Sequence, residues 1–97
     1  MAVLDEVLLE EQERLQRIKT RMQAEMELLP QGYLSKKKIH GSDCYYLQHR
    51  EGTKVVSKYV PLSEVKDLSE KIERRRSLSQ SLREIERQLK KIQRVVK

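Results

Sequence analysis

Six cations and four tyrosines fall between residues 33 and 60: Lys36, Lys37, Lys38, Arg50, Lys54 and Lys58, with Tyr33, Tyr45, Tyr46 and Tyr59. On an extended surface this set suits single-stranded nucleic acid, because ammonium and guanidinium groups track phosphate while each ring can stack a base for about 1–3 kcal/mol. Tyr45 or Tyr46 is the expected stacking residue. Arg74, Arg75 and Arg76 add a second basic run. A plainer account competes at every position. Tyrosines are good strand formers that fill small cores, edge lysines oppose aggregation, and an arginine run is commonly a solvated helix face.

Other chemistry has less to work with. His40, Cys44 and His49 are the soft ligands, but strand alternation sends Cys44 and His49 to opposite faces and no further Cys or His completes a zinc set. No metal or cofactor is expected. A nucleophile built on Cys44 and a histidine lacks an orienting third group and a shielded pocket, and there is no Gly-rich phosphate loop. The chain is read as not an enzyme, with packing of Cys44 beside Tyr59 as the role of the thiol.

The elements that must position these residues are set by periodicity. Leu4, Leu8, Leu15, Ile18, Met22 and Leu29 follow three/four steps interrupted where Glu11 and Glu25 take seam positions, predicting an amphipathic helix over 2–29, which Pro30 and Gly32 end. A second helix over 62–96 opens at Pro61 or with Ser63 as N-cap, with Glu64 and Asp67 at the positive end of its dipole. Its seam runs through Val65, Leu68 and Ile72, slips phase at Arg74–Arg76, and resumes through Leu78, Leu82, Ile85, Leu89, Ile92 and Val96. Leu8, Leu15, Ile18 and Met22 with Leu78, Leu82, Ile85, Leu89 and Ile92 are the expected seam, formed within one chain or swapped across a homodimer, and a four-helix bundle would cover the flanking Val3, Val7, Leu9, Met26 and Val95.

Between the helices, turn chemistry predicts a three-stranded meander over 33–60. His40–Gly41 and Glu51–Gly52 are the expected two-residue loops. Those loops put Leu34, Leu47 and Val56 in one row, with Lys36, Tyr45 and Lys58 next to it. The opposite face carries Tyr33, Gln48 and Val55, then Ser35, Tyr46 and Ser57, then Lys37, Cys44 and Tyr59. Such a sheet needs support, for which Leu28, Leu29, Leu62 and Val65 are the expected anchors. The fold class is therefore α+β, mainly α: two long antiparallel, coiled-coil-like helices flanking a three-stranded antiparallel meander in one domain spanning 1–97.

Composition sets the outer limits. Ninety-seven residues with 37% hydrophobic, 37% charged and no Trp or Phe leave little room for an enclosed active site. No apolar run approaches the roughly 18 residues of a membrane span, and the opening residues lack a basic, apolar leader, so no membrane association and a cytoplasmic location are expected. One cysteine fits a reducing compartment. The net charge of +6 divides as −3, +4 and +5 over residues 1–29, 30–60 and 61–97. If the helices are antiparallel, Asp5, Glu6, Glu10, Glu11 and Glu13 lie near Arg83, Arg87, Lys90, Lys91 and Arg94, and the surplus positive charge gathers around the sheet.

The stretch LPQGYL (29–34), KKKI (36–39), CYYLQHREG (44–52) and KVVSKYV (54–60) resembles a family of small uncharacterised bacterial proteins. In that family an LPxGxL turn leads to a lysine-rich strand, a YYLQxREG hairpin, a KVxSKY strand and a second helix. Cys44 departs from the pattern, where another Tyr is expected. The resemblance implies an architecture and an occurrence among mobile-element and phage-related genes, with no activity to carry over. A looser similarity of shape is to the arm-type DNA-binding modules of tyrosine recombinases.

Two functions follow as expectations. One is a non-catalytic nucleic-acid-binding homodimer that uses Lys36, Lys37, Lys38, Tyr45, Tyr46, Arg50, Lys54, Lys58 and Arg74–Arg76. The other is a protein-interaction module, such as a mobile-element inhibitor or adaptor that grips a host nucleic-acid enzyme. No small-molecule substrate is expected.

Overall fold

The computed structural model describes residues 3–96. Helix α1 (Val3–Glu27) is followed by strands β1 (Tyr33–Ile39), β2 (Ser42–Glu51) and β3 (Lys54–Val60), and then by helix α2 (Leu62–Val95). The sheet is antiparallel in the order β1-β2-β3. This is the expected mainly α, α+β architecture, with two helices flanking the meander. The expected helix start at residue 2 lies outside the described residues. Pro30 lacks an amide donor and restricts Leu29, and α1 stops before both. At the other end the Pro61 carbonyl accepts from the Glu64 amide at 2.9 Å, so Pro61 caps α2 and Ser63 falls inside the first turn.

The chain packs as two compact units. Residues 29–76 hold the sheet and the first part of α2, while residues 1–28 and 77–97 pair α1 with the rest of α2. The division between Arg76 and Ser77 falls inside the phase slip of the apolar stripe.

In the helical unit, Leu15, Ile85, Leu89 and Ile92 form the buried cluster, with Leu8, Ile18, Met22 and Val96 against it. Leu78 and Leu82 are buried too. Lys19 meets Glu86 at 3.9 Å, and Gln16 and Lys19 border one hollow with Glu86, Lys90 and Gln93. Advancing along α1 thus means retreating along α2, which is the antiparallel register. Leu4, expected on the seam, is instead exposed. Continuing that register runs past the end of α2 at Val95, so nothing of α2 faces the first turn of α1.

In the sheet unit, the β1–β2 register is the expected one: Leu34 faces Leu47, Lys36 faces Tyr45 and Lys37 faces Cys44. The β2–β3 register differs by two residues. Leu47 faces Lys58 and Tyr46 faces Tyr59, where Val56 and Ser57 were expected. The loop is Gly52–Thr53, because Glu51 still pairs with Lys54. Gly52 takes the positive φ (62°), which Glu51 could adopt only at a steric cost of roughly 1–2 kcal/mol. Opposite charges on Glu51 and Lys54 and the Tyr46–Tyr59 ring pair support the same alignment. A shift of two leaves every side chain on its expected face.

The inner face of the sheet carries Leu34, Tyr45, Leu47, Val56 and Val60. Leu34 borders one hollow with Ile72, and Leu47 and Val60 border another with Leu68. Val60 and Ile72 are the buried residues of this small core. The expected anchors Leu28 and Leu62 are exposed. At about 100° per residue Leu62 lies roughly 85° off the stripe through Val65, Leu68 and Ile72, and Leu28 falls beyond the last residue of α1.

Candidate nucleic-acid interface

The alternation of the strands sorts the candidate residues. Lys36, Lys38, Tyr45, Lys54 and Lys58 share the inner face, whereas Lys37, Tyr46 and Arg50 share the outer face with Tyr33 and Tyr59. The two tyrosines expected to act as alternatives therefore point opposite ways. Tyr45 is half-buried beside its partner Val60, and Tyr46 is half-buried on the outer side.

Several cations already have acidic neighbours. Lys36 Nζ lies 3.4 Å from Asp43. Lys58 shares a groove of about 350 Å³ with Glu64, Asp67 and Lys71, and Lys71 pairs with Asp67 at 3.0 Å. Arg76 meets Glu73 at 2.7 Å. Arg75 donates to the Leu29 carbonyl, which makes it part of the sheet unit's own structure.

The outer face is different in kind. Tyr46 and Tyr59 pair edge to face, ring centres 5.9 Å apart and planes at 74°, and Lys37 Nζ lies 5.2 Å from the centre of the Tyr46 ring. Tyr33 occupies the next row, diagonal to Tyr46. Its neighbours in that row are Gln48 and Ser57, with Arg50 and Val55 one row further. Cys44 sits opposite Lys37, one row from Tyr59 and not opposite it, as a consequence of the two-residue shift. Tyr33 and Tyr59 were not chosen as stacking residues from sequence. Their place on the outer face was legible in the alternation, but that this face is the uncovered one was not.

Cys44 and His49 lie on opposite faces, and among the described residues no three His, Cys, Asp or Glu side chains gather as metal ligands. His49 Nε2 lies 3.1 Å from Glu51, and its Nδ1 is buried without a hydrogen-bond partner.

Charge divides unevenly between the two units. Residues 29–76 carry eleven bases and six acids, net +5, and the helical unit carries ten bases and nine acids, net +1. Glu11 pairs with Arg14 of its own helix and Glu84 with Arg87, while between the two helices Lys19 of α1 meets Glu86 of α2.

The arrangement defines a class: a helix-flanked three-stranded sheet whose outer face carries three tyrosines with Lys37 and Arg50. Residues 8–70 match the model of a domain family of unknown function, DUF6788, and the chain belongs to that family. The match takes in most of α1, the whole meander and the opening of α2. No curated protein and no solved structure matches the chain. Among the described residues no helix is long and apolar enough to cross a membrane.

Proposed function

We propose that this chain is a small, non-catalytic nucleic-acid-binding protein that contacts phosphate through its sheet unit and dimerises through its helices. The observation that carries this reading is the charge partition: five of the six net positive charges belong to residues 29–76, the unit with the open tyrosine face. Concentrated cationic potential of this kind attracts polyanions, and phosphate contacts release counterions, so affinity falls steeply with salt. Catalysis is left aside because the nucleophile and base candidates, Cys44 and His49, face away from one another. A cytoplasmic location fits the lone free thiol.

The test is fluorescence anisotropy at low salt with single- and double-stranded DNA and RNA. Saturable, salt-sensitive binding supports the reading, and absence of binding to all four removes it. Exposed apolar side chains at Val3, Leu4 and Val7, with Val55 on the sheet, favour a second reading. In it the chain is a protein-interaction module, in the mobile-element setting that the family resemblance implies, acting as inhibitor or adaptor of a host nucleic-acid enzyme. One stoichiometric protein partner retained after nuclease treatment would support that alternative.

A further inference from the structure

We infer that the outer face of the sheet takes single-stranded rather than duplex nucleic acid, with Tyr33 and Tyr59 as the base-stacking residues and Tyr46 as the residue that positions Tyr59. This deepens the proposed function and rests on it. Of the three outer-face rings, Tyr46 is the most engaged: Lys37 lies 5.2 Å from its centre, Tyr59 meets it edge to face, and it is half-buried on the central strand. Tyr33 and Tyr59 stand on the two outer strands and are 53% and 58% exposed. Their rings have surface to offer and Tyr46 has little.

The register sets their spacing. Tyr33 pairs with Gln48, and Tyr59 pairs with Tyr46, one row along. Two inter-strand steps of about 4.8 Å and one row of about 6.8 Å separate the two positions by roughly 12 Å. That is too far for both rings to clasp one base. They suit two different bases of one strand passing obliquely over the sheet, with Gln48 and Ser57 beside Tyr33 as hydrogen-bonding neighbours. Lys37 of β1, beside Cys44, and Arg50 of β2 lie on the same face toward opposite ends of the sheet, where a backbone following that path needs cations. A duplex hides its base faces inside the stack, so exposed rings on a sheet gain nothing from it beyond phosphate attraction.

The test compares a fluorescein-labelled oligothymidylate of about twelve nucleotides with a duplex of the same length at low salt. The single strand is expected to bind more tightly. Tyr33→Leu and Tyr59→Leu are each expected to weaken that binding by roughly 5- to 100-fold while leaving duplex binding within about twofold. Circular dichroism melts of both variants establish that they fold. The wild-type chain supplies an independent readout, since it has no Trp to mask tyrosine emission, and stacking should quench that emission as the unlabelled oligothymidylate is added. Equal affinity for both probes, tyrosine variants that bind normally, or unquenched emission with salt-sensitive binding intact would overturn stacking and leave the phosphate reading standing. No binding of either probe would remove both.

Discussion

The Arg75 guanidinium donates through Nη1 to the main-chain carbonyl oxygen of Leu29 at 2.8 Å, across 46 positions of sequence. Leu29 precedes Pro30 in the segment that leads into β1, beyond the last helical residue of α1, so its carbonyl has no partner in the α1 ladder. A charged donor on a partly buried carbonyl contributes about 1.5–3 kcal/mol. Arg75→Met is expected to lower unfolding stability by that amount, with Arg75→Lys recovering part of it. Urea unfolding measures both, and an unchanged midpoint for the Met variant would show the bond to be dispensable.

Gly32 has a φ of 111°, and a Cβ built there would stand 2.1 Å from the carbonyl oxygen of Gln48 and 3.0 Å from its carbonyl carbon. The obstacle is β2 backbone, which cannot step aside as a flexible side-chain tip would. Gly32→Ala should therefore cost more than about 2 kcal/mol, through both the φ penalty and displacement of the strand. Gly52→Ala meets no atoms within 4 Å, so only its φ of 62° is penalised and about 1 kcal/mol is expected. Thermal melts of the two variants side by side distinguish close approach from turn geometry.

How far the sequence disclosed this fold depends on how local the determinant is. Pro30, Pro61 and the His40–Gly41 loop act within a few residues, and the structure has the first hairpin and the start of α2 where they imply, with α1 ending at Glu27 rather than at residue 29. The β2–β3 register was harder, since Gly52 can serve as either central residue of a two-residue loop and the deciding contacts, Tyr46 with Tyr59 and Glu51 with Lys54, are themselves products of the pairing. Gly32 read as a helix breaker, and Arg75 as one of three equivalent arginines. Their partners, Gln48 and Leu29, are 16 and 46 positions away, and no local pattern encodes such a meeting. Of the candidate site, the residue types and the alternation were legible. Which face lies open was not, because it depends on where α2 covers the sheet.

Lys37 and Arg50 share the open face, whereas Lys36 is turned to the other side beside Asp43. If phosphate contact takes place on the open face, Lys37→Gln and Arg50→Gln should each reduce the dependence of log K on log salt by about one unit. Lys36→Gln should change it by less than half that. Anisotropy titrations over a range of sodium chloride concentrations give the slopes, and a larger effect at Lys36 would transfer the contact to the inner side or the strand edge.

Glu11 and Arg14, one helical turn apart, form a forked pair, with Arg14 Nε donating to Glu11 Oε2 at 2.8 Å. The hydrogen bond from Arg14, aided by its charge, holds the Glu11 carboxyl below its ordinary range. A carboxylate whose folded-state pKa is depressed adds stability above its unfolded pKa and loses it as pH falls through the folded value. Both side chains are solvated, so the effect is small and is best read from the group itself. Carboxyl-carbon NMR should show Glu11 titrating at lower pH than a free glutamate, and Arg14→Gln should return it to the usual range.

Leu89 and Leu4 separate folding from association. Leu89 is 5% exposed in the helical core, so Leu89→Ala should cost about 2–5 kcal/mol, depending on how far Leu15 and Ile85 collapse into the space. Leu4 is 66% exposed, with Val3 and Val7 beside it on the first two turns of α1. Truncating it removes almost nothing buried within one chain. If the proposed dimer covers this patch, Leu4→Glu should leave the helical circular dichroism of a dilute sample unchanged and shift the mass by light scattering from two chains to one, because a buried charge there would lack a partner. A wild-type mass of one chain at tens of micromolar would refute the dimer outright, and a Leu4→Glu variant that stays dimeric would move the interface off this patch.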